Sequence, residues 1–171
     1  MKNLFSFIPT ISVGDITDIT EEMIKKYRIK AFLLDIDNTL SAHGSEIPNN
    51  GVEEWINNMK NNGLRIMIIS NNKGERVKNF SNLLNLEYID KAKKPLRSGF
   101  NKALNILNTN SHETMVIGDQ IFTDILGANL SGIKSALVTP KDKNEPIGIK
   151  IKRVFEIPFK IVIKYKVKDR F

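Results

Sequence analysis

The stretch that most constrains this chain is Ala31-Phe32-Leu33-Leu34-Asp35-Ile36-Asp37-Asn38-Thr39-Leu40, a short apolar run that breaks into two carboxylates one residue apart. Four consecutive apolar residues suit a strand covered on both faces, which is the habit of parallel sheets sandwiched between helices. Open α/β sheets build their sites where such strands end, so Asp35 and Asp37 are delivered to an edge where ligands bind. In extended backbone, residues two apart face one side, and the two carboxylates would converge on one cation or phosphoryl group unless the chain turns between them. A strand running into an ordinary Asp/Asn turn is the plainer alternative. A calcium loop is excluded: Asp35, Asp37, Thr39 and Glu46 fill its first, third, fifth and twelfth places, but Leu40 stands where it needs glycine and no helix enters it.

The same grammar repeats downstream. Val52, Trp55, Ile56 and Met59 predict a helix over about 50–62, with Trp55 in the core, and 64–70 is a second buried strand that exits into Ser70-Asn71-Asn72. A helix through Val77, Phe80, Leu83 and Leu84 leads to a short strand at 87–89 and then Lys91-Ala92-Lys93-Lys94-Pro95. After a helix through Phe100, Ala103 and Leu107, strand 114–117 runs into Gly118-Asp119 and Asp124; a helix to about Leu130 and a fifth strand at 134–138 follow. The expected fold is therefore α/β: a three-layer, doubly wound, mainly parallel sheet of five strands. Ahead of it, residues 1–17 read as an irregular apolar lead, and the Asp18 to Glu21 spacing predicts a cap for a short helix ending near Tyr27.

The chain has 171 residues, which suits one domain, and no cysteine, which removes disulfides, thiolate metal sites and cysteine nucleophiles. Any metal must then be a hard one. No apolar stretch nears the ~20 residues of a membrane span and residues 1–10 are broken early by Pro9, so a cytoplasmic protein is expected. The formal charge of +7 is concentrated in the extension 141–171, where 10 lysines and arginines face four acids, against 16 and 15 in residues 1–140. Such a tail suits an anionic surface, acidic lipid or nucleic acid, or is simply a solvated end. Its segment Ile163-Lys164-Tyr165-Lys166-Val167-Lys168 alternates apolar and cationic residues as a strand would, with Lys160, Lys164, Lys166 and Lys168 able to meet an anionic bilayer.

In a parallel sheet all carboxyl ends share one edge, so Asp35, Asp37, Ser70, Lys94, Asp119 and Asp124 must cluster. Carboxylates can furnish a nucleophile and an oxygen cage for Mg²⁺, while a lysine and a hydroxyl hold phosphoryl oxygens; this is an inventory for phosphoryl transfer. The chain resembles the haloacid dehalogenase (HAD) phosphohydrolases: Asp35 to Leu40 resembles their first motif, Ser70 their second, Lys94 before Pro95 their third, and Gly118-Asp119 with Asp124 their fourth, over residues 31–139. The resemblance implies Asp35 as nucleophile and Asp37 as acid/base with its backbone carbonyl on the metal. It also implies Asp119 and Asp124 as metal ligands, and Ser70, Asn71 and Lys94 as phosphate contacts. The intervals Asp35 to Ser70 and Ser70 to Lys94, 35 and 24 positions, hold only sheet and helix elements, so no cap domain is expected. The wording of the motifs is most similar to the capless subfamily IIIA branch that includes phosphatidylglycerophosphate phosphatases, which implies a phosphorylated lipid substrate; the basic tail is what suggests a peripheral place at the inner face of the membrane. A phosphorylated nucleic-acid end ranks lower because the tail has few aromatics for stacking. A non-catalytic phosphate-binding scaffold is opposed by the intact acids, serine and lysine. His43, just past the first motif, is a substrate contact or a solvated loop residue; His112 has no assigned role.

Overall fold

The computed structural model describes residues 7–142 and 146–167. Its order is β1 (Ile11–Val13), a 3₁₀ turn (Ile16–Asp18), α1 (Glu21–Tyr27), β2 (Ala31–Leu34), α2 (Val52–Asn61), β3 (Arg65–Ile69), α3 (Glu75–Leu83), β4 (Glu87–Ile89), α4 (Arg97–Ile106), β5 (Thr114–Gly118), a π-helical turn (Ile121–Ile125), α5 (Leu126–Leu130), β6 (Lys134–Val138) and α6 (Ile147–Lys166). The sheet runs β1-β6-β5-β2-β3-β4, and every pairing in it is parallel.

Strand alternation explains the layers. Phe32 and Leu34 face a core shared with Met23 of α1, Trp55, Ile56 and Met59 of α2, and Val77 and Phe80 of α3. Ala31 and Leu33 face the opposite core, built with Phe100 and Ala103 of α4 and Ala128 of α5. Trp55 is buried as expected, stacked on Phe32 with ring centroids 5.5 Å apart and its indole N–H donating to the Ile19 carbonyl at 2.9 Å. Among the described residues there is no cap domain: β2 is followed by one loop and α2, and β3 by α3 and β4.

Three expectations are corrected. Among the described residues the sheet has six strands, because Ile11–Val13 of the lead pairs beside β6, with Ile11 opposite Ala136. Three residues are too few to display a period, and only the neighbouring strand reveals them. Asp18 caps nothing downstream; it closes a capping box with Asp15 around the 3₁₀ turn, and Thr20 caps α1 by accepting from the Met23 N–H at 3.4 Å. The tail is a 20-residue helix rather than a strand. Residues 163–167 do alternate, but Arg153, Glu156, Lys160, Ile163 and Val167 recur at helical spacing, and that longer stripe is the one that meets the domain. Lys168 lies outside the described residues.

Candidate active site

The chain leaves β2 to build β3 and β4 on one side, then crosses back to place β5 on the other, so the crevice at the carboxyl ends of β2 and β5 is the switch point of the sheet. Asp35 extends the β2 ladder by one residue, donating its N–H to the Ile117 carbonyl at 3.0 Å. Asp119 directly follows β5, and Asp124 sits in the π-helical turn, a distortion that recurs at functional sites. Gly118 makes room for it: a Cβ there would lie 2.4 Å from the Asp124 carboxyl carbon. Lys94 arrives from the loop after β4, which is strapped to the exit of β3 by the Ala92 N–H to the Ser70 carbonyl and the Lys91 N–H to the Asn72 carbonyl, both at 2.9 Å.

These elements bring together one buried knot of charge. Lys94 Nζ donates to Asp35 Oδ1 and to Asp124 Oδ1, each at 2.6 Å. Asp35, Asp119 and Asp124 each offer an oxygen, all within 4.8 Å of one another, and Asp119 Oδ1 is buried with no hydrogen-bond partner. Three hard oxygen donors at this spacing, one of them without a partner, fit a hard divalent cation. Burial pushes the Asp35 carboxyl up to about 7, Lys94 only partly offsetting it. Burial likewise raises Asp119 well above the usual carboxylate range, with the Arg153 guanidinium opposing and the charges of Asp35 and Asp124 reinforcing it. For Lys94 burial works downward, but Asp124 and Asp35 outweigh it and hold its pKa above the ordinary lysine value.

Asp37 is not part of that knot. The chain turns after Asp35, with Asn38 in the left-handed region at φ 57°, and the Asp37 carboxylate faces another set of donors. It accepts from the Gly44 N–H at 2.8 Å, from Arg76 at 2.8 and 3.2 Å, and from the Asn72 amide, with His43 Nδ1 3.6 Å away. Burial raises it, but the Arg76 hydrogen bonds, the Gly44 N–H and the nearby positive charge prevail and hold it below its ordinary value. The convergence of the Asp35 and Asp37 side chains on one metal is therefore corrected. An Asp37 contribution to the metal is left to its backbone carbonyl.

Ser70 is buried at the cleft and accepts the Asn72 N–H at 3.1 Å. The Asn71 side chain donates to the Lys94 carbonyl at 2.9 Å and accepts the Lys94 N–H at 2.7 Å, so it fixes the backbone of the lysine at the cleft that Asn71 also lines. The resulting cleft of ≈ 140 Å³ is lined by Asp35, Asp37, His43, Ser70, Lys94 and Thr123 and edged by Ile149 and Lys152 of α6. His112 lies in the turn before β5, at the opposite end of the sheet.

Arg76 and Arg153 are absent from the sequence reading. Arg76, six residues past Ser70, gives no signal of its own. Arg153 contacts Asp119 through both side chain and carbonyl, and Glu156, buried beside it, accepts from Arg153 at 3.1 Å and from the Ile121 N–H at 2.7 Å. A single acid in an otherwise basic helix was the available sign.

The model of a family described as mitochondrial PGP phosphatase matches residues 1–141. This chain belongs to that family. Over 134 residues it is 38% identical to the probable phosphatase YqeG of Bacillus subtilis (strain 168), covering 78% of each chain. It is 30% identical over 118 residues to a glyceraldehyde 3-phosphate phosphatase of Pyrococcus abyssi (strain GE5 / Orsay), covering 63% of this chain and 48% of that one. A 3-deoxy-D-manno-octulosonate 8-phosphate phosphatase from Yersinia pestis shares the fold, with TM-score 0.56 and 12% identity over 89% of this chain and 77% of that one. A member of the PGP phosphatase family with no cap domain among its described residues, the chain is thus a phosphatase, a phosphoric monoester hydrolase. Among the described residues no helix is long and apolar enough to cross a membrane.

Proposed function

We propose that this phosphatase hydrolyses the phosphomonoester of a lipid head group, phosphatidylglycerophosphate by preference, through an aspartyl-phosphate on Asp35 with Mg²⁺ held by Asp35, Asp119 and Asp124. The observation that carries the reading is the cleft. At ≈ 140 Å³ it is well below the ~300–1,000 Å³ of sites that enclose a small molecule, so it takes the phosphoryl group and leaves the rest of the substrate outside.

In the first step an Asp35 oxygen attacks phosphorus, the bond to the leaving oxygen breaks, and that oxygen takes a proton from Asp37. In the second, water attacks the same phosphorus, Asp37 takes its proton, and phosphate leaves with Asp35 regenerated. Lys94 and Ser70 hold phosphoryl oxygens in both steps. Arg76 favours the ionised form of Asp37 that the second step uses and must yield for the first. When bound, a divalent cation supplies the charge that keeps the crowded carboxylates ionised and neutralises the phosphoryl oxygens.

A second reading, a small soluble phosphate as substrate, is favoured by the Pyrococcus relative. The test is turnover of phosphatidylglycerophosphate in mixed micelles, of glyceraldehyde 3-phosphate and of a 5′-phosphorylated oligonucleotide, with Mg²⁺ and with chelator. The proposal expects kcat/KM for the lipid to lead by at least about tenfold, or ~1.4 kcal/mol of barrier, and to vanish in chelator. A soluble phosphate turned over as well as the lipid moves the assignment to the second reading.

A further inference from the structure

Helix α6 lies beyond the residues matched by the family model and turns two unlike faces to its surroundings. Its inner face is bound to the domain. Phe159 packs between Phe7 and Phe122, with centroids 4.6 and 5.5 Å away, Ile163 and Val167 join Ile121, Ile125 and Leu137, and Arg153 and Glu156 grip the segment that carries Asp119 and Ile121. Its outer face is apolar. Ile147, Ile151, Val154, Phe155, Val162 and Tyr165 are between 43% and 82% exposed, and at ~100° per residue they share an arc about 100° wide. Lys150 and Lys164 border that arc on one side, Lys152 and Lys166 on the other, and the only acid in the helix, Glu156, is buried on the inner face.

We infer that the outer face of α6 is a docking surface for an anionic lipid bilayer, on which the helix lies in the plane of the interface and tethers the domain. An apolar arc flanked by lysines, on a helix that does not span a membrane, is the pattern of an interfacial helix: the arc enters the boundary of the acyl layer while the lysines stay among the phosphates. The charge pattern selects this occupant over a second copy of the chain, because two such faces would set lysines against lysines with no exposed acid on either helix. Ile149 and Lys152 of the same helix, on its side away from the apolar arc, edge the cleft, so a docked α6 tethers the site at the membrane. The benefit to catalysis rests on the lipid-phosphatase reading; docking itself does not require turnover.

The experiment is co-sedimentation of the full chain with phosphatidylcholine vesicles, with and without phosphatidylglycerol, at low and high salt. It compares wild type, an I151S/F155S/V162S variant and a K150Q/K164Q/K166Q variant, with hydrolysis of a small soluble phosphate measured alongside to report an intact fold and site. Wild type is expected to pellet with anionic vesicles and to be released by salt, the serine variant to remain in the supernatant, and the glutamine variant to partition on the order of 100-fold more weakly. Both variants keep soluble turnover. Wild type that ignores anionic vesicles at low salt, or a turnover-competent serine variant that pellets like wild type, overturns the inference. So does a wild-type dimer through α6 that the serine variant abolishes while vesicles bind neither. Pelleting without any phosphate turnover would uphold docking and sink the phosphatase chemistry.

Discussion

Replacing Lys94 by methionine should reveal how the site balances its charge. The lysine is buried and bridges Asp35 and Asp124 at 2.6 Å each, so K94M leaves two buried carboxylates facing a methyl group. Removing one partner of a buried ion pair costs about 3–5 kcal/mol. For a domain of this size ~1 kcal/mol moves Tm by about 2–4 °C, so a loss of about 6–20 °C is expected at pH 8 in chelator. The pH dependence is the sharper test. In the wild type the Lys94 pKa is raised, so its contribution is fully present below the unfolded value near ~10.4 and is constant from pH 5 to 8. Asp35, already pushed up to about 7 by burial, loses the cation that restrained it and rises further in the variant. Folded K94M then keeps a proton that the unfolded chain, with a carboxyl pKa near ~3.9, has released, so its stability goes on falling with pH above 7, where the wild type levels off with respect to Asp35. Urea melts of both proteins at pH 5, 6, 7 and 8 should show a gap that widens with pH. A gap that is constant, or narrower at pH 8, refutes the reasoning.

Asp35→Asn should abolish phosphate release, and residual activity within about tenfold of wild type, ~1.4 kcal/mol of barrier, would remove Asp35 from the nucleophile's role. Saturating Mg²⁺ should raise the wild-type Tm, by the equivalent of about 2.7 kcal/mol at a hundred times Kd, and Asp119→Asn should lose that increment; equal shifts in both proteins would place the cation elsewhere. Gly118→Ala should drive a methyl into Asp124, costing about 1–3 kcal/mol in a denaturant melt and reducing the Mg²⁺ increment with it. Arg76→Met removes the main group lowering Asp37, so the Asp37 pKa rises and the acidic limb of the kcat profile, where Asp37 serves as base, should move to higher pH; an unmoved limb would separate Asp37 from that step.

Much of the site was legible because its residues stand at strand ends, and the end of a buried parallel strand can be read from four or five apolar residues followed by polar ones. Asp35, Ser70 and Asp119 follow β2, β3 and β5 in this way, and Lys94 follows β4. Arg76 and Arg153 were illegible for the converse reason: a charged residue on a helix looks solvated unless its partner's position is known. The orientation of Asp37 could not be read either, since it depends on a loop that brings the Gly44 N–H back and on α3 bringing Arg76 across. Lead and tail were misread because β1 is shorter than any detectable period and because five alternating residues outvoted the stripe of a 20-residue helix.

By itself the sequence determined the layer architecture, the edge on which chemistry is placed, and the hard-oxygen character of the site, because these follow from periodicity and residue type. Tertiary structure alone decided which carboxylates lie close enough to share an ion and which one Arg76 claims, for pairing depends on distances of a few ångströms between segments far apart in the chain. It also decided what the tail is. Whether Ile163 belongs to a strand or a helix was settled by the pocket of Ile121, Ile125 and Leu137 that receives it, and burying that one stripe leaves the opposite arc, apolar and flanked by lysines, facing outward.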